Sequence, residues 1–207
     1  MTAVSASGRM CPFERVLRGL RVRVRAALAC AAIGLGLAAP AAAEGEPEAV
    51  GRYLGHARLV GDGTLRWLGF RVYDARLWAP PGVDMAERWV HTPFVLEIEY
   101  AWALRGAAIA ERSRDEMLRL GYGTAERRQQ WLEAMRMLFP DVQAGTRLIG
   151  VHRPGQGATF YSEASRLGHV ADPEFARAFF AIWLDARTSD PALREALLSG
   201  AGARSGR

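Results

Sequence analysis

The alternation of apolar and polar residues predicts that the first half of the domain is built from strands. From about residue 57, three segments are typical of β-strands: "ARLVG", "LRWLGFRVYDARLW" and "FVLEIEY". In the last of these every second residue is apolar, and Glu97 and Glu99 lie between them. Because side chains alternate across a strand, this pattern predicts one buried face and one face in water.

Apolar residues at helical spacing follow in two segments. The first runs from Gly106 to Leu120, and the second begins after Thr124, a good helix cap, and ends before Pro140. Next, "TRLIGVHR", the turn "PGQG" and "ATFYSE" predict a hairpin. Two closing helices begin with Asp-Pro pairs at 172–173 and 190–191, because Asp caps a helix and Pro fits its first turn. This order predicts an α+β fold, with an antiparallel sheet and helices on one face.

The first 43 residues have the three parts of a secretory leader. An arginine-rich segment is followed by the apolar stretch "AALACAAIGLGLAAP" and by "AAA" before Glu44. The apolar stretch is shorter than the ~20 residues of a membrane span, which favours cleavage over a permanent anchor. We therefore expect a signal peptide over 1–43, a flexible N-terminus over 44–52, one domain over 53–199 and a disordered tail over 200–207. The mature protein would be periplasmic or secreted.

Charge and composition exclude several classes of function. After residue 43 the chain keeps 21 of its 27 basic and 21 of its 22 acidic residues, and this balance argues against nucleic acid as a partner. Both cysteines, Cys11 and Cys30, fall in the leader. The four histidines lack the spacing of metal ligands, and no G-x-S-x-G motif is present. We expect neither a metal nor another cofactor, and no stable membrane span after cleavage.

The segment "VGDGTLRW" places a G-x-G motif ahead of an arginine. A phosphate-binding loop needs its glycines between a strand and a helix, but strand-like residues follow here, so we interpret Asp62-Gly63 as a tight turn. In a regular strand, Arg66 would share a face with three apolar residues. A guanidinium there needs a carboxylate, a water pocket or an anionic ligand, because it cannot lose its charge. The structural alternative is a strand-end arginine that reaches solvent or pairs with Asp62 or Asp74.

Several segments together resemble the chalcone isomerase-like superfamily, in particular its secreted bacterial branch. They are G-x-G-x-x-R, "FRVYDARLW", "FVLEIEY" with its helix, "LFPDVQAGTRLIGVHR" and "LGHVADPEFARAFFAIWLD", and they run from about Ala57 to Asp185. The resemblance implies an open-faced β-sandwich, in which a large antiparallel sheet is backed by a layer of helices and a ligand cleft lies between them.

The resemblance also implies a binding site. In that superfamily the arginine after the G-x-G turn is the polar anchor of the cleft: it steadies an oxyanion in isomerases and holds a carboxylate in fatty-acid-binding relatives. Arg66 matches this position with a difference of one residue in spacing, and Tyr73 matches the tyrosine that joins the arginine in the binding relatives. Regular alternation would separate the two side chains, whereas a bulge at Gly69 would bring them to one side.

Two departures from the superfamily bear on catalysis. Ile109 stands where the plant isomerases have a tyrosine that orders water, and Glu116 stands where they have an asparagine. Such a cleft can bind an anion but offers little help to a conjugate addition. We therefore expect a non-catalytic, secreted protein that binds a fatty acid or similar amphiphilic anion through Arg66 and Tyr73. The alternatives are an intramolecular lyase that acts on a phenolic ligand through Arg66, and a periplasmic structural or partner-binding protein.

Overall fold

The computed structural model describes residues 48–163 and 165–199, and an antiparallel sheet organises them. Each of its six strands lies beside the next strand in the sequence. The strands are β1 Arg58–Trp67, β2 Phe70–Ala79, β3 Phe94–Tyr100, β4 Arg147–Arg153, β5 Gly157–Ser162 and β6 Ser165–Val170. The predicted α+β class, an open antiparallel sheet backed by helices, is confirmed. Strand β6 was not among the segments that the sequence pattern predicted.

The four helices that the sequence predicted are present, and two short helices that it did not predict precede them. They are α1 Glu48–Leu54, α2 Met85–Arg88 with a 3-10 turn at Trp89–His91, α3 Gly106–Leu120, α4 Ala125–Leu138, α5 Pro173–Leu184 and α6 Pro191–Ser199. Thr124 caps α4 by accepting a hydrogen bond from the Arg127 amide, and Asp172 caps α5 in the same way. In the part of the chain that the structure describes, no helix is long and apolar enough to cross a membrane.

The main core lies between the sheet and helices α3 to α6. The alternating apolar residues of β3, from Phe94 to Tyr100, face this core as predicted, whereas Val95 faces the other side of the sheet. The aromatic residues of α5 pack there against rings from the sheet and from the end of α4, and the Phe160 and Phe179 ring centroids are 5.1 Å apart. Edge-to-face packing of this kind suits the charge distribution of aromatic rings.

Helix α1 covers part of the opposite face of the sheet. Val50 is fully buried and packs with four residues of the sheet: Val95, Ile149, Val151 and Tyr161. The segment 44–52 was expected to be flexible, and from Glu48 onward it forms helix α1, which the burial of Val50 holds against the sheet. The predicted signal peptide over 1–43 and the predicted tail over 200–207 lie outside the described residues.

Charged residues occupy another part of that second face. Glu97 was expected in water, but its side chain is only 2% exposed. Arg76 lies directly across from it on β2, and the guanidinium Nη1 is 2.7 Å from the carboxylate Oε1. The ion pair explains how a carboxylate can be buried there, since a buried charge needs an opposite charge and hydrogen bonds.

Candidate functional site

The β1–β2 hairpin carries both predicted site residues, and its turn lies at Leu68–Gly69. These two residues have positive φ values of 49° and 83°, and Trp67 pairs with Phe70 on either side of them. Two successive positive φ values are the mark of a type I′ hairpin turn. The segment "LRWLGFRVYDARLW" therefore forms two strands instead of the one predicted. The predicted turn at Asp62-Gly63 is also wrong, because both residues lie inside β1 and pair with β2.

The two glycines of the G-x-G motif allow helix α6 to approach β1. A Cβ on Gly61 would lie 2.3 Å from the carbonyl oxygen of Ala196, and a Cβ on Gly63 would lie 2.8 Å from the Ala196 Cβ. Real Cβ atoms do not come so close to other atoms. The motif thus allows close packing of the helix. Strand residues, and not a helix, follow it in the chain, so it does not form a phosphate-binding loop.

Arg66 lies at the end of the hairpin with its side chain exposed. Its Nη1 donates a hydrogen bond of 3.3 Å to the carbonyl oxygen of Gly69. Its cross-strand partner is Arg71, and the residue opposite Tyr73 is Leu65. A register shift falls at this step, so the irregularity that was expected at Gly69 lies between Tyr73 and Arg71 instead. No described contact joins Arg66 to Tyr73, although the two residues lie on neighbouring strands.

Tyr73 points to the helical side of the sheet. The indole Nε1 of Trp183, on α5, donates a hydrogen bond of 3.0 Å to its hydroxyl oxygen, and the Tyr100 ring lies edge-on at 6.0 Å. Burial raises the pKa of Tyr73 well above its ordinary value, and the negative charges of Asp190 and Glu116 add to the increase. The phenol therefore stays protonated, so it can donate a hydrogen bond but is a poor base.

Helix α3 contributes a charged group to the same region. The carboxylate of Glu116 is buried and bridges two arginines: Oε1 is 2.6 Å from Arg112 Nη2, and Oε2 is 2.7 Å from Arg119 Nε. The charges of Arg112 and Glu116 both act on the Tyr73 hydroxyl. Ile109, two turns before Glu116 on the helix, packs against the main core. We call Tyr73, Trp183, Arg112 and Glu116 the Tyr73 cluster.

Sequence reasoning did not identify Trp183 and Arg112 as members of a site. Trp183 belongs to the apolar stripe of α5 and reads as a core residue. The sequence signal for Trp183 is its indole N–H, because this donor requires an acceptor when it is buried. Arg112 reads as part of a solvated helix face, and only its spacing of four residues from Glu116 indicates an ion pair.

The Tyr73 cluster is suited to binding a polar head group beside an apolar chain. Its hydroxyl is fixed by Trp183, and half-buried apolar side chains pack against the same core, among them Leu65, Ile109 and Ile182. Over residues 48–163 and 165–199, no three His, Cys, Asp or Glu side chains are grouped so that they could hold a metal ion. The chemistry available to the cluster is hydrogen bonding and charge pairing.

Comparison with known proteins identifies the fold. A family model described as chalcone isomerase-like matches residues 56–199, which include all six strands and every helix from α2 to α6. A crystal structure of a fatty-acid binding protein from Arabidopsis thaliana has a TM-score of 0.57 at 15% sequence identity, and the match covers 70% of this chain and 88% of that chain. No curated protein matches the chain by sequence.

Proposed function

The chain belongs to the chalcone isomerase-like family, and we propose that it is a secreted or periplasmic protein that binds a fatty acid or similar amphiphilic anion without transforming it. The observation that carries the proposal is the Tyr73 hydroxyl, held by Trp183 between the sheet and the helices. The fold that the chain shares with a fatty-acid binding protein supports it. The leader-like sequence of residues 1–43 supports secretion.

In this proposal Tyr73 donates a hydrogen bond to the ligand carboxylate. Trp183 already donates to the phenolic oxygen, and the described residues offer the phenolic proton no acceptor. A hydrogen bond to a charged group contributes about 1.5–3 kcal/mol in a protein interior. The apolar tail of the ligand would pack against the half-buried residues around the hydroxyl.

Arg66 would supply the charge that attracts the carboxylate. Its guanidinium is exposed and hydrogen-bonded to one neutral carbonyl oxygen, so it can turn to a new partner at a cost of about 1 kcal/mol. Leu65, the residue before it, lies opposite Tyr73 on the neighbouring strand. Because successive strand residues point to opposite faces, we propose that the exposed Arg66 guanidinium reaches the ligand around the edge strand β1, at the entrance of the site.

Ile109 and Tyr73 argue against the alternative of an intramolecular lyase. Ile109 has a hydrocarbon side chain that packs against the core, and it cannot order a water molecule. The raised pKa of Tyr73 makes its phenolate too scarce near neutral pH to act as a base. The proposal therefore assigns binding, and no catalytic step, to the site.

The proposal predicts that Arg66→Ala weakens binding of a fluorescent fatty acid by roughly ten- to a hundredfold, since about 1.4 kcal/mol corresponds to a factor of ten. Tyr73→Phe should weaken it by about tenfold through loss of one donor. Titration of dansyl-undecanoic acid into each purified variant, in buffer without lipid, measures both effects. Arg66→Lys should restore binding only in part, because an ammonium lacks the planar two-pronged grip of a guanidinium.

Two control variants are matched to these changes. Arg58 is an exposed arginine at the opposite end of β1, and Tyr100 is a buried tyrosine beside Tyr73. Arg58→Ala and Tyr100→Phe should leave the affinity within about twofold of the wild type. A wild-type protein that binds no fatty acid would refute the proposed function. Unchanged affinity in Arg66→Ala would remove Arg66 alone from the site.

A further inference from the structure

Three large apolar side chains are exposed together at the tip of the β1–β2 hairpin. Leu68 is 75% exposed, Phe70 61% and Trp102 41%. The Phe70 and Trp102 rings meet edge to face with their centroids 6.0 Å apart, and Leu68 stands in the turn beside Phe70. The other large exposed apolar residues of the described chain, Leu118 and Met137, lie on helices α3 and α4. We call Leu68, Phe70 and Trp102 the hairpin patch.

Hydrogen bonds to the backbone of β2 fix the patch in place. Trp102 lies in the loop between β3 and α3, and its indole Nε1 donates to the carbonyl oxygen of Arg71 on β2. The amide of Ala101 donates to the carbonyl oxygen of Val72 at 3.0 Å. The loop and the hairpin therefore present their apolar side chains as one surface.

Arginines border the hairpin patch. Arg66, Arg71 and Arg105 are all exposed, and they lie within three residues of a patch member in the sequence. Arg71 pairs with Asp74 at 2.7 Å. Neither Arg66 nor Arg105 has a carboxylate partner among residues 48–163 and 165–199. The apolar tip thus has a border with excess positive charge.

The conformation of Leu68 indicates that leucine does not stabilise the turn at this position. Its φ of 49° lies in the left-handed region, which is unfavourable for leucine, and type I′ turns prefer Asn-Gly. Leucine recovers little of this cost by burial, since three quarters of its surface is exposed. An apolar side chain in a strained turn, exposed beside two aromatic rings, suggests a surface that meets a partner.

We propose that the hairpin patch docks the protein on the surface of an anionic phospholipid bilayer. Aromatic side chains favour the membrane–water interface, where an apolar body and a polar group can both be satisfied, and Leu68 would reach into the acyl region. Arginines set back from the tip would pair with lipid phosphates. Arg66 belongs to this border, so docking would place the entrance of the proposed ligand site at a membrane. Docking itself does not depend on ligand binding.

Tryptophan fluorescence can report docking directly. All six tryptophans lie between residues 67 and 183, so their emission reports the folded domain and not the basic N-terminal segment. Full-length protein is mixed with phosphatidylglycerol vesicles whose acyl chains carry bromine, a contact quencher. We expect quenching in the wild type and clearly less in Trp102→Phe. This variant keeps an aromatic ring but replaces the exposed, fluorescent indole with a phenyl group. Vesicles of phosphatidylcholine should bind several-fold more weakly.

Leu68→Asn is the decisive variant because the proposal predicts opposite changes in its melting temperature and its vesicle affinity. Asparagine tolerates the left-handed turn, so the melting temperature should rise, while vesicle affinity should fall by about five- to tenfold. Phe70→Ser should lower affinity similarly, and Met137→Ser, which removes an exposed side chain from α4, should leave it unchanged. Loss of folding cannot produce a higher melting temperature together with weaker docking.

Three results would overturn the proposal. The first is wild-type vesicle binding by both Leu68→Asn and Phe70→Ser, and the second is equal binding to phosphatidylcholine. The third is a lipid-free dimer, seen by sedimentation, that Phe70→Ser dissociates, because the patch would then be covered by a second copy of the chain. Fatty-acid titration without lipid is a separate experiment, so failure of docking and failure of the proposed function can be distinguished.

Discussion

At the scale of single residues, His152 makes the fold sensitive to pH. Its ring is buried, stacks on Phe94 at a centroid distance of 4.7 Å and lies edge-on to Phe180. Nδ1 is 3.0 Å from the carbonyl oxygen of Thr92. Burial lowers the pKa of His152, and the hydrogen bond to Thr92 offsets this only in part. The native state therefore holds the neutral ring, and proton uptake favours the unfolded state.

We predict that the free energy of unfolding falls as the pH drops from 7 to 5. An unfolded histidine has a pKa of about 6.5, so the contribution of His152 is present above that pH and is lost as the pH falls below it. His152→Gln keeps a donor for Thr92 without a titrating ring and should show a shallower decline. The exposed His91→Gln is the control and should decline like the wild type. Urea denaturation at pH 7 and pH 5 measures these slopes, and identical slopes in all three proteins would contradict the prediction.

The residue scale also shows why the site was only partly predictable from the sequence. Arg66 was recognised because a charge inside a strand pattern is conspicuous, but its surroundings depend on where the hairpin turns. Asp-Gly is a common turn pair and Leu-Gly is not, so the sequence favoured the wrong turn. The chain turns at Leu68–Gly69 instead, and this register places Leu65, not Arg66, opposite Tyr73.

At the scale of the element, β3 shows where alternation predicts burial and where it fails. Phe94, Leu96, Ile98 and Tyr100 face the main core as predicted, because the strand's own sequence decides which face is the more apolar. The environment of Glu97 depends on two other strands: Arg76 of β2 lies opposite it, and Arg147 of β4 lies 3.9 Å away. Cross-strand partners follow from register, and the sequence of one strand does not reveal them.

We expect Glu97→Gln to lower the free energy of unfolding by about 2–4 kcal/mol, because it leaves the half-buried Arg76 without its closest carboxylate. Glu99 lies two residues along the same strand and is partly exposed, 3.8 Å from Arg76. Glu99→Gln should cost at most about 1 kcal/mol. Chemical denaturation of both variants measures the difference. Equal losses would mean that Glu97 is no more important to the fold than its partly exposed neighbour Glu99.

At the scale of the whole domain, packing of helix α6 on β1 connects the G-x-G motif with the Tyr73 cluster. Gly61 and Gly63 give the helix its close approach, and Asp190, the residue before the helix, acts electrostatically on Tyr73. The sequence predicted the helix and raised the question of the glycines. The sequence could not show that the helix and the glycines are in contact, because this contact joins the first strand to the last helix, which are separated by nearly all of the domain.

This arrangement predicts a graded response to added methyl groups. A Cβ on Gly61 would meet the backbone carbonyl oxygens of Ala196 and Leu197 at 2.3 and 2.6 Å, and these atoms can yield only if the helix moves. A Cβ on Gly63 would meet side-chain atoms of Ala196 and Leu193, which yield more easily. Gly61→Ala should therefore cost about 1–3 kcal/mol of stability, and Gly63→Ala distinctly less.

Helix α6 should also become easier to cleave in Gly61→Ala, and fatty-acid affinity should fall as Asp190, the residue before the helix, moves relative to Tyr73. Thermal melts, limited proteolysis and the fluorescent titration test these three effects on the same samples. If the melting temperature, protease resistance and ligand affinity of Gly61→Ala all equal those of the wild type, α6 does not depend on β1 for its position. A loss of stability without a loss of affinity would instead confine the role of the glycines to folding.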